Sequence, residues 1–262
     1  MNISSIWRKL RSQQAFCLAT LLTVCIAFSG CSPSQSVAGN QSQVDPKLKE
    51  QVLQVIRENP QVILESVQAY QQQQQDSLKA AQQSFLQQMT TNPKSVIGDS
   101  PSTGAKDGKV VLLEFSDFQC PFCAKAHENV KQFMAKNQDK VTLAYKHLPL
   151  TSIHPQAMPA AKAAWAAQQQ GKFWEYYGAL FEGQKQLGEE FYVATAQKLS
   201  LKLDKFNTDR NSPAAEAAIQ KDVQLAQSLG IEGTPFFIMN GKTFSGAVEL
   251  AEMEKILASV SK

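Results

Sequence analysis

The chain has 262 residues, of which 43% are hydrophobic and 19% charged, so it contains enough apolar material for a folded core with appendages. Its formal net charge is +3, and the basic residues Arg8, Lys9 and Arg11 near the N-terminus account for this excess. The balanced remainder has no basic stripe, which argues against nucleic acid as a partner.

Residues 1–30 have the pattern of a signal peptide. The basic residues are followed by an uncharged apolar stretch, residues 15–28, which is too short for a comfortable transmembrane helix. Small residues then precede Cys31, as in a bacterial lipoprotein box. We expect cleavage before Cys31 and attachment of Cys31 to the lipid bilayer. Ordinary secretory cleavage nearby and an uncleaved anchor are the alternatives.

Two segments precede the predicted catalytic domain. Residues 31–44 are rich in Ser, Gln, Gly and Asn, which predicts a flexible tether. Residues 45–92 carry apolar residues at helical spacing and an Asn59-Pro60 step that favours the start of a second helix. This helical arm must cover its apolar stripe either on the core or in a homodimer or homotrimer. Glycines and prolines predict a linker over residues 93–109.

Residues 110–262 predict an α/β domain. An apolar strand, Val110 to Ser116, is expected in the sheet centre with both faces covered. The pattern predicts further strands over 141–148, 236–239 and 242–245, a helical insertion over about 155–227 and a closing helix over 250–260. Asn240-Gly241 is a strong hairpin turn signal between the last two strands.

Cys120-Pro121-Phe122-Cys123 lies between the first strand of this domain and a predicted helix. A helix N-terminus stabilises a thiolate at the first cysteine of such a motif. The other cysteines, at 17, 25 and 31, belong to the targeting segment or follow it directly. Two thiols cannot build a disulfide framework or a four-cysteine zinc site, which favours a redox dithiol. A three-ligand metal site that includes His127 is the alternative.

Several motifs together resemble the DsbA-type family of exported thiol–disulfide oxidoreductases. They are Glu114 to Cys123, Gln170 to Trp174, Gly230 to Ile238, and Gly246-Ala247. The resemblance implies a thioredoxin fold with a helical insertion between the second strand and the cis-proline strand. A shorter stretch, Asn59 to Glu65, resembles the arm with which the ScsC-like and DsbG-like branch oligomerises.

The resemblance also implies roles for individual residues. Cys120 would form mixed disulfides with clients, and Cys123 would resolve them. Pro235 resembles the family's cis-proline, at which backbone groups meet an extended client strand. We expect four residues to contact the client: Pro121, Phe122, Thr234 and Pro235.

Glu114 matches a buried acid of the family. A carboxyl in a central strand is costly to ionise, so its pKa should rise and it could relay the proton of Cys123. A water-exposed Glu at a strand edge is the alternative. For His147 and His154 we expect structural roles. Because no histidine lies between the two cysteines, we expect a disulfide that is less oxidising than that of the family's strongest oxidants.

These features predict an extracytoplasmic enzyme that oxidises or isomerises the disulfides of client proteins. Its partners would be those clients and a membrane redox protein that re-oxidises or re-reduces the dithiol. We expect neither a cofactor nor a bound metal. A copper or zinc carrier and a chaperone-like binding module are the alternatives, and the direction of exchange stays open.

Overall fold

The computed structural model describes residues 45–261, so the predicted signal peptide, Cys31 and the tether lie outside the described residues. The chain divides into two compact units, one up to Ile63 and one from Leu64 onward. The α-helices are α1 Pro46–Glu58, α2 Pro60–Thr91, α3 Pro121–Asn137, α4 Ala157–Gln168, α5 Phe173–Glu182, α6 Glu189–Lys198, α7 Leu203–Arg210, α8 Pro213–Ser228 and α9 Leu250–Val260. The strands are β1 Ser102–Gly104, β2 Val110–Ser116, β3 Val141–His147, β4 Phe236–Met239 and β5 Lys242–Ser245.

The first unit contains helix α1 and the first residues of α2. Asp45 caps α1, since its side chain accepts a hydrogen bond from the backbone N–H of Lys47 at 2.9 Å. Four apolar residues of α1 are between 41% and 59% exposed, namely Leu48, Val52, Val55 and Ile56, and Leu53 is half-buried. The predicted apolar stripe is therefore present and lies at the surface of this helix.

Within the second unit, the C-terminal half of α2 packs on the core. Met89 is completely buried, and Phe85 and Leu86 pack against the same apolar cluster. Gln82 Nε2 also donates to the Leu229 carbonyl at 2.7 Å. Residues 45–92 are thus not one separate arm, because the second half of α2 packs on the core. By contrast, Leu64, Val67 and Tyr70 remain 47% to 63% exposed.

The described residues form a five-stranded sheet in the order β1-β3-β2-β4-β5. β2 runs parallel to β3, whereas the β1–β3, β2–β4 and β4–β5 pairs are antiparallel. Four strands lie where the sequence predicted them, and the α/β class is confirmed. The linker prediction for residues 93–109 was wrong in part, since they contain a 3₁₀ turn at Pro93–Val96 and the edge strand β1. β1 is short and polar, and backbone pairing with β3 defines it.

Both faces of β2 are buried, as predicted for a central strand. Leu112 packs with α3 and α9, through residues such as Val130 and Met253. Phe115, on the opposite face, packs with Met89 of α2 and Ala226 of α8. The sheet is therefore covered by helices on each side.

The predicted helical insertion lies between β3 and β4 and comprises α4 to α8. It is interrupted near Gly171, Gly183, Gly188 and Pro213, as the sequence indicated. Helix α5 contributes Phe173, Tyr176, Tyr177 and Phe181 to an aromatic cluster that also contains Cys123. The insertion therefore builds one wall around the dithiol.

The β4–β5 hairpin turns at Asn240 and Gly241, which have φ angles of 41° and 88°. Both angles lie in the left-handed region that Asn and Gly tolerate. The Asn240 side chain accepts from the N–H of Val111 at 2.9 Å and donates to the carbonyl of Lys109 at 2.7 Å. These two bonds fix the start of β2 against the hairpin.

Candidate active site

The dithiol lies at the junction of β2 and α3. Cys120 is the N-cap of α3, and Pro121 occupies the first helical position, where its missing N–H costs nothing. The Cys120 carbonyl accepts from the backbone N–H groups of Cys123 and Ala124, each at 3.1 Å. This geometry places the backbone N–H groups of Phe122 and Cys123, at the positive end of the helix, next to the Cys120 side chain.

The environment makes the two thiols chemically different. The hydrogen bond from the Cys123 side chain is the largest cause that lowers the pKa of Cys120, to about 5, and Thr234 and the backbone of Phe122 and Cys123 add to it. Burial raises the pKa of Cys123 well above its ordinary value. Cys120 retains 3% exposure and Cys123 none. Cys120 therefore suits a nucleophile, whereas Cys123 needs a group that accepts its proton.

The loop before β4 meets the dithiol. The Thr234–Pro235 peptide bond is cis, as the resemblance implied. Cys120 Sγ lies 3.5 Å from the Thr234 carbonyl oxygen, to which the protonated thiol donates. Two predicted client-contact residues, Pro121 and Phe122, lie at the surface, with Phe122 61% exposed. The structure thus brings the four predicted client-contact residues to the dithiol.

Glu114 is completely buried in β2, between Tyr145 of β3 and Phe237 of β4. Burial raises its pKa from 4.5 to about 7, although the hydrogen bond from Tyr177 and the nearby Ser116 hydroxyl lower it in part. The expected rise in pKa is confirmed, and the strand-edge alternative is wrong. The Ser116 hydroxyl also lowers the pKa of Cys123, so it interacts with both the carboxyl and the thiol.

Contacts that sequence reasoning missed hold the loop before Cys120. Asp117 accepts from the backbone N–H of Gln119 at 2.8 Å and pairs with His154 Nδ1 at 2.7 Å. Gln184, in a 3₁₀ turn after α5, donates from Nε2 to the carbonyls of Phe118 at 2.8 Å and Cys120 at 2.9 Å. No sequence signal marks Gln184, because its partners lie more than sixty positions earlier.

The three histidines of the chain are held by an ion pair or by packing against aromatic rings. His154 pairs with the buried Asp117, and His147 packs against Tyr145 and Phe173. The His127 ring packs between those of Tyr177 and Phe181, with centroid distances of 4.9 Å to each. Over residues 45–261 no group of three or more His, Cys, Asp or Glu side chains is arranged to hold a metal ion.

A dithiol at a helix N-terminus beside a cis-proline loop is the arrangement of a thiol–disulfide redox site. Residues 97–259 match the family model described as Thioredoxin, and the chain belongs to this family. The thioredoxin-like fold that the resemblance implied is thereby confirmed. Solved structures of DsbA- and ScsC-type proteins share it.

Three solved structures illustrate the similarity. A thioredoxin-like oxidoreductase from Silicibacter pomeroyi is 28% identical, with a TM-score of 0.57 over 65% of this chain and 98% of that one. ScsC from Proteus mirabilis is 21% identical, with a TM-score of 0.59 over 82% and 95%. A periplasmic thioredoxin-like protein from Salmonella enterica serovar Typhimurium is 22% identical, with a TM-score of 0.55 over 68% and 97%. The last two share the fold with this chain.

Among curated proteins, a Na(+)/H(+) antiporter, NhaA 3 of Salinispora tropica, is 33% identical over 156 residues. The match covers 60% of this chain and 24% of the antiporter, so the chain spans about a quarter of the length of such relatives. Within residues 45–261, no helix combines the length and apolar character needed to cross a bilayer.

Proposed function

We propose that the protein is an exported thiol–disulfide oxidoreductase that oxidises or isomerises disulfides in client proteins. The observation that carries this proposal is the position of Cys120 at the N-terminus of α3, in contact with Thr234 of the cis Thr234–Pro235 bond, with Cys123 completely buried on the same helix. A thiolate at neutral pH is the reactive form in exchange, and a neighbouring thiol that is held protonated waits for the second step.

The oxidase cycle has two exchanges. A client thiolate attacks Cys120 in the Cys120–Cys123 disulfide, which forms a mixed disulfide and releases Cys123 as a thiolate that then takes up a proton. A second client thiolate then displaces Cys120, so the client gains a disulfide and the enzyme dithiol is reduced. An isomerase begins instead with attack of the Cys120 thiolate on a non-native disulfide of the client.

Cys123 resolves a mixed disulfide that stalls. It loses its proton, attacks Cys120 Sγ and expels the client thiolate. Glu114 takes the proton in this step, since a pKa of about 7 allows a carboxyl to accept and return a proton near neutrality. The buried Ser116 hydroxyl lies near enough to lower the pKa values of both Glu114 and Cys123.

The client lies along the surface that Pro121, Phe122 and Thr234 form, next to the buried Pro235. The exposed Phe122 ring offers an apolar contact next to the reactive sulfur. Pro235 has no N–H, and the Thr234 backbone beside it can pair with an extended client segment. A client in an unfolded conformation fits this surface better than a folded one.

Trapping tests the assignment of the two thiols. Cys123→Ser should accumulate covalent complexes with client proteins, because the mixed disulfide can no longer be resolved. Cys120→Ser should accumulate none, and it serves as the matched control. Equal trapping by both variants would contradict the division of labour. Copper bound stoichiometrically by the reduced protein, without any exchange activity, would instead favour the carrier alternative.

The direction of exchange depends on the reduction potential of the Cys120–Cys123 pair. The absence of a histidine between the cysteines supports a moderate oxidant, which can also act as an isomerase when kept reduced. Equilibration with glutathione buffers, followed by thiol alkylation, measures the potential. A value as oxidising as that of the strongest family members, about −120 mV, would refute this expectation.

The N-terminal pattern supports export and lipid attachment at Cys31, with the catalytic domain in the periplasm or an equivalent compartment. A membrane redox partner would then restore the dithiol or disulfide. Radiolabelled fatty acid should be incorporated into the wild-type precursor, whereas Cys31→Ser should incorporate none. Incorporation by both would refute attachment at this residue.

Residues 45–70 support self-association into a homodimer or homotrimer. Exposed apolar side chains recur at helical spacing in α1, as in Leu48, Val52 and Val55, and again in α2, as in Ile63 and Val67. A second copy of the same segment carries the complementary stripe.

Light scattering on the chain from residue 32 tests this association. We expect an oligomer for the unmodified chain and a monomer for the double variant Val55→Glu/Val67→Glu. The exposed Gln73→Glu, which adds to α2 the same single charge as Val67→Glu but outside the stripe, should remain oligomeric. The monomer should retain oxidase activity and lose isomerase activity on a scrambled disulfide client. A monomeric unmodified chain would refute the proposal. Deleting residues 32–92 is a poorer test, because it also removes the buried Met89.

A further inference from the structure

One hydroxyl group at the site has no role in the exchange steps above. Tyr177, in helix α5 of the insertion, is almost completely buried and donates from its hydroxyl to Glu114 Oε2 at 3.0 Å. Glu114 Oε1 is also buried, and it has no hydrogen-bond partner among the described residues. We infer that Tyr177 is a positioning residue for disulfide exchange, which holds one oxygen of the Glu114 carboxyl and leaves the other for the Cys123 proton. This inference rests on the proposed function.

The Tyr177 ring is held in place from several directions. Its centroid lies 4.9 Å from that of His127, 5.0 Å from Phe181 and 5.4 Å from Tyr145. All three contacts are edge-to-face, the arrangement that aromatic rings favour. The hydroxyl therefore reaches Glu114 from a fixed direction. An ordinary core tyrosine has no need of a carboxyl partner, because a backbone carbonyl is sufficient, as Tyr192 provides for Tyr176.

Few groups other than Tyr177 are placed to change the pKa of Glu114. The tyrosines Tyr177 and Tyr145 are its titratable neighbours, Cys123 acts on the pKa of both of them, and Phe237 of β4 pairs with Glu114 in the sheet register. His127 packs on the ring of Tyr177, and burial lowers its pKa, so it is neutral where Glu114 titrates.

His147 packs on the ring of Tyr145, and burial lowers its pKa to about 3. Among the described residues no lysine or arginine contributes to the pKa of Glu114. The hydroxyls of Tyr177 and Ser116 are therefore the groups that favour the carboxylate.

The resolving step defines what Tyr177 has to do. A mixed disulfide between Cys120 and the client, the Cys123 thiol and the Glu114 carboxylate react together. The Cys123 proton passes to Oε1, a Cys120–Cys123 bond forms, and the client sulfur leaves as a thiolate. The Tyr177 hydroxyl keeps its proton and its bond to Oε2 throughout. It therefore orients the acceptor oxygen and stabilises the carboxylate before the transfer.

Tyr177→Phe should change the pH dependence of resolution. Losing a hydrogen bond to the carboxylate raises the pKa of Glu114, so the rate midpoint should move upward by about one pH unit. Resolution should slow by about fivefold at pH 7 and hardly at all at pH 9, since the carboxylate is then formed in both proteins. The second phase of reaction with an aromatic disulfide reagent measures this rate, because each exchange releases a coloured thiolate.

Tyr176→Phe is the matched control. It removes a hydroxyl from the adjacent position of the same helix, where that hydroxyl binds the Tyr192 carbonyl at 2.8 Å, and its midpoint should equal that of the wild type. Adding Tyr177→Phe to Glu114→Gln should cause no further change in the profile. A wild-type midpoint in Tyr177→Phe, together with an altered profile in Glu114→Gln, would overturn the role of Tyr177 and leave the exchange reaction standing. Absence of the second phase in the wild type would overturn the proposed function, and this inference with it.

Fluorinated tyrosine at position 177 covers the case in which Tyr177→Phe fails to fold. The fluorinated phenol is a stronger donor of nearly the same shape, so the midpoint should move downward instead. An unchanged midpoint in the folded fluorinated protein would overturn the inference.

Discussion

Glutamine at position 114 should change the stability of the protein in a pH-dependent way. Burial raises the pKa of Glu114 from 4.5 to about 7. The folded state therefore keeps this proton between those pH values, while the unfolded chain loses it. Stability from this group is complete below about pH 4.5 and is lost as the pH rises through about 7. The rise in pKa corresponds to about 3 kcal/mol.

Glu114→Gln cannot ionise and so does not suffer this loss. Its stability relative to the wild type should increase by about 3 kcal/mol between pH 4 and pH 8.5, whatever constant offset the amide introduces. Urea unfolding of both reduced proteins at the two pH values measures the difference. Glu252→Gln, on the exposed face of α9, is the control and should show no such change. Parallel behaviour of Glu114→Gln and wild type at both pH values would refute a buried carboxyl with a raised pKa.

Two further predictions concern the dithiol and the core. Cys123→Ala should raise the pKa of Cys120 above its value of about 5, because the Cys123 hydrogen bond is the largest cause of its lowering. Thiolate absorbance against pH measures this pKa. An unchanged midpoint would mean that the helix N-terminus, and not Cys123, lowers the pKa of Cys120. Met89→Ala should lower the free energy of unfolding by about 2–5 kcal/mol, since Met89 is completely buried. Val67→Ala, at an exposed site of the same helix, should lower it far less. Equal losses of the two variants in urea unfolding would contradict the docking of α2 on the core.

The elements that the sequence predicted well have local signals. A short apolar run and a turn dipeptide defined β4 and β5, and helix α9 has the bounds that its periodicity indicated. β1 was not predicted, because its three residues carry no apolar pattern and only the backbone pairing with β3 makes them a strand. The docking of the second half of α2 was also undecidable, because an amphipathic stripe does not specify the surface that covers it.

The candidate site shows the same limit. The cysteines, Glu114 and Pro235 could be predicted because each belongs to a recognisable motif. The contact between Tyr177 and Glu114 could not be predicted, since it joins residues 63 positions apart. The sequence offers no local signal for how the insertion docks on the sheet, so it could not reveal which tyrosine would meet the carboxyl.

The two halves of the dithiol site come from distant parts of the chain, since Cys120 and its contact Thr234 are 114 positions apart. During synthesis the Cys120 segment emerges long before the cis-proline loop. Without that loop and the first turn of α3, Cys120 is an ordinary thiol, mostly protonated at neutral pH. We therefore expect Cys120 to be a weaker nucleophile in the unfolded chain than in the folded protein. In this protein, Cys120 reaches its full reactivity only when folding is complete.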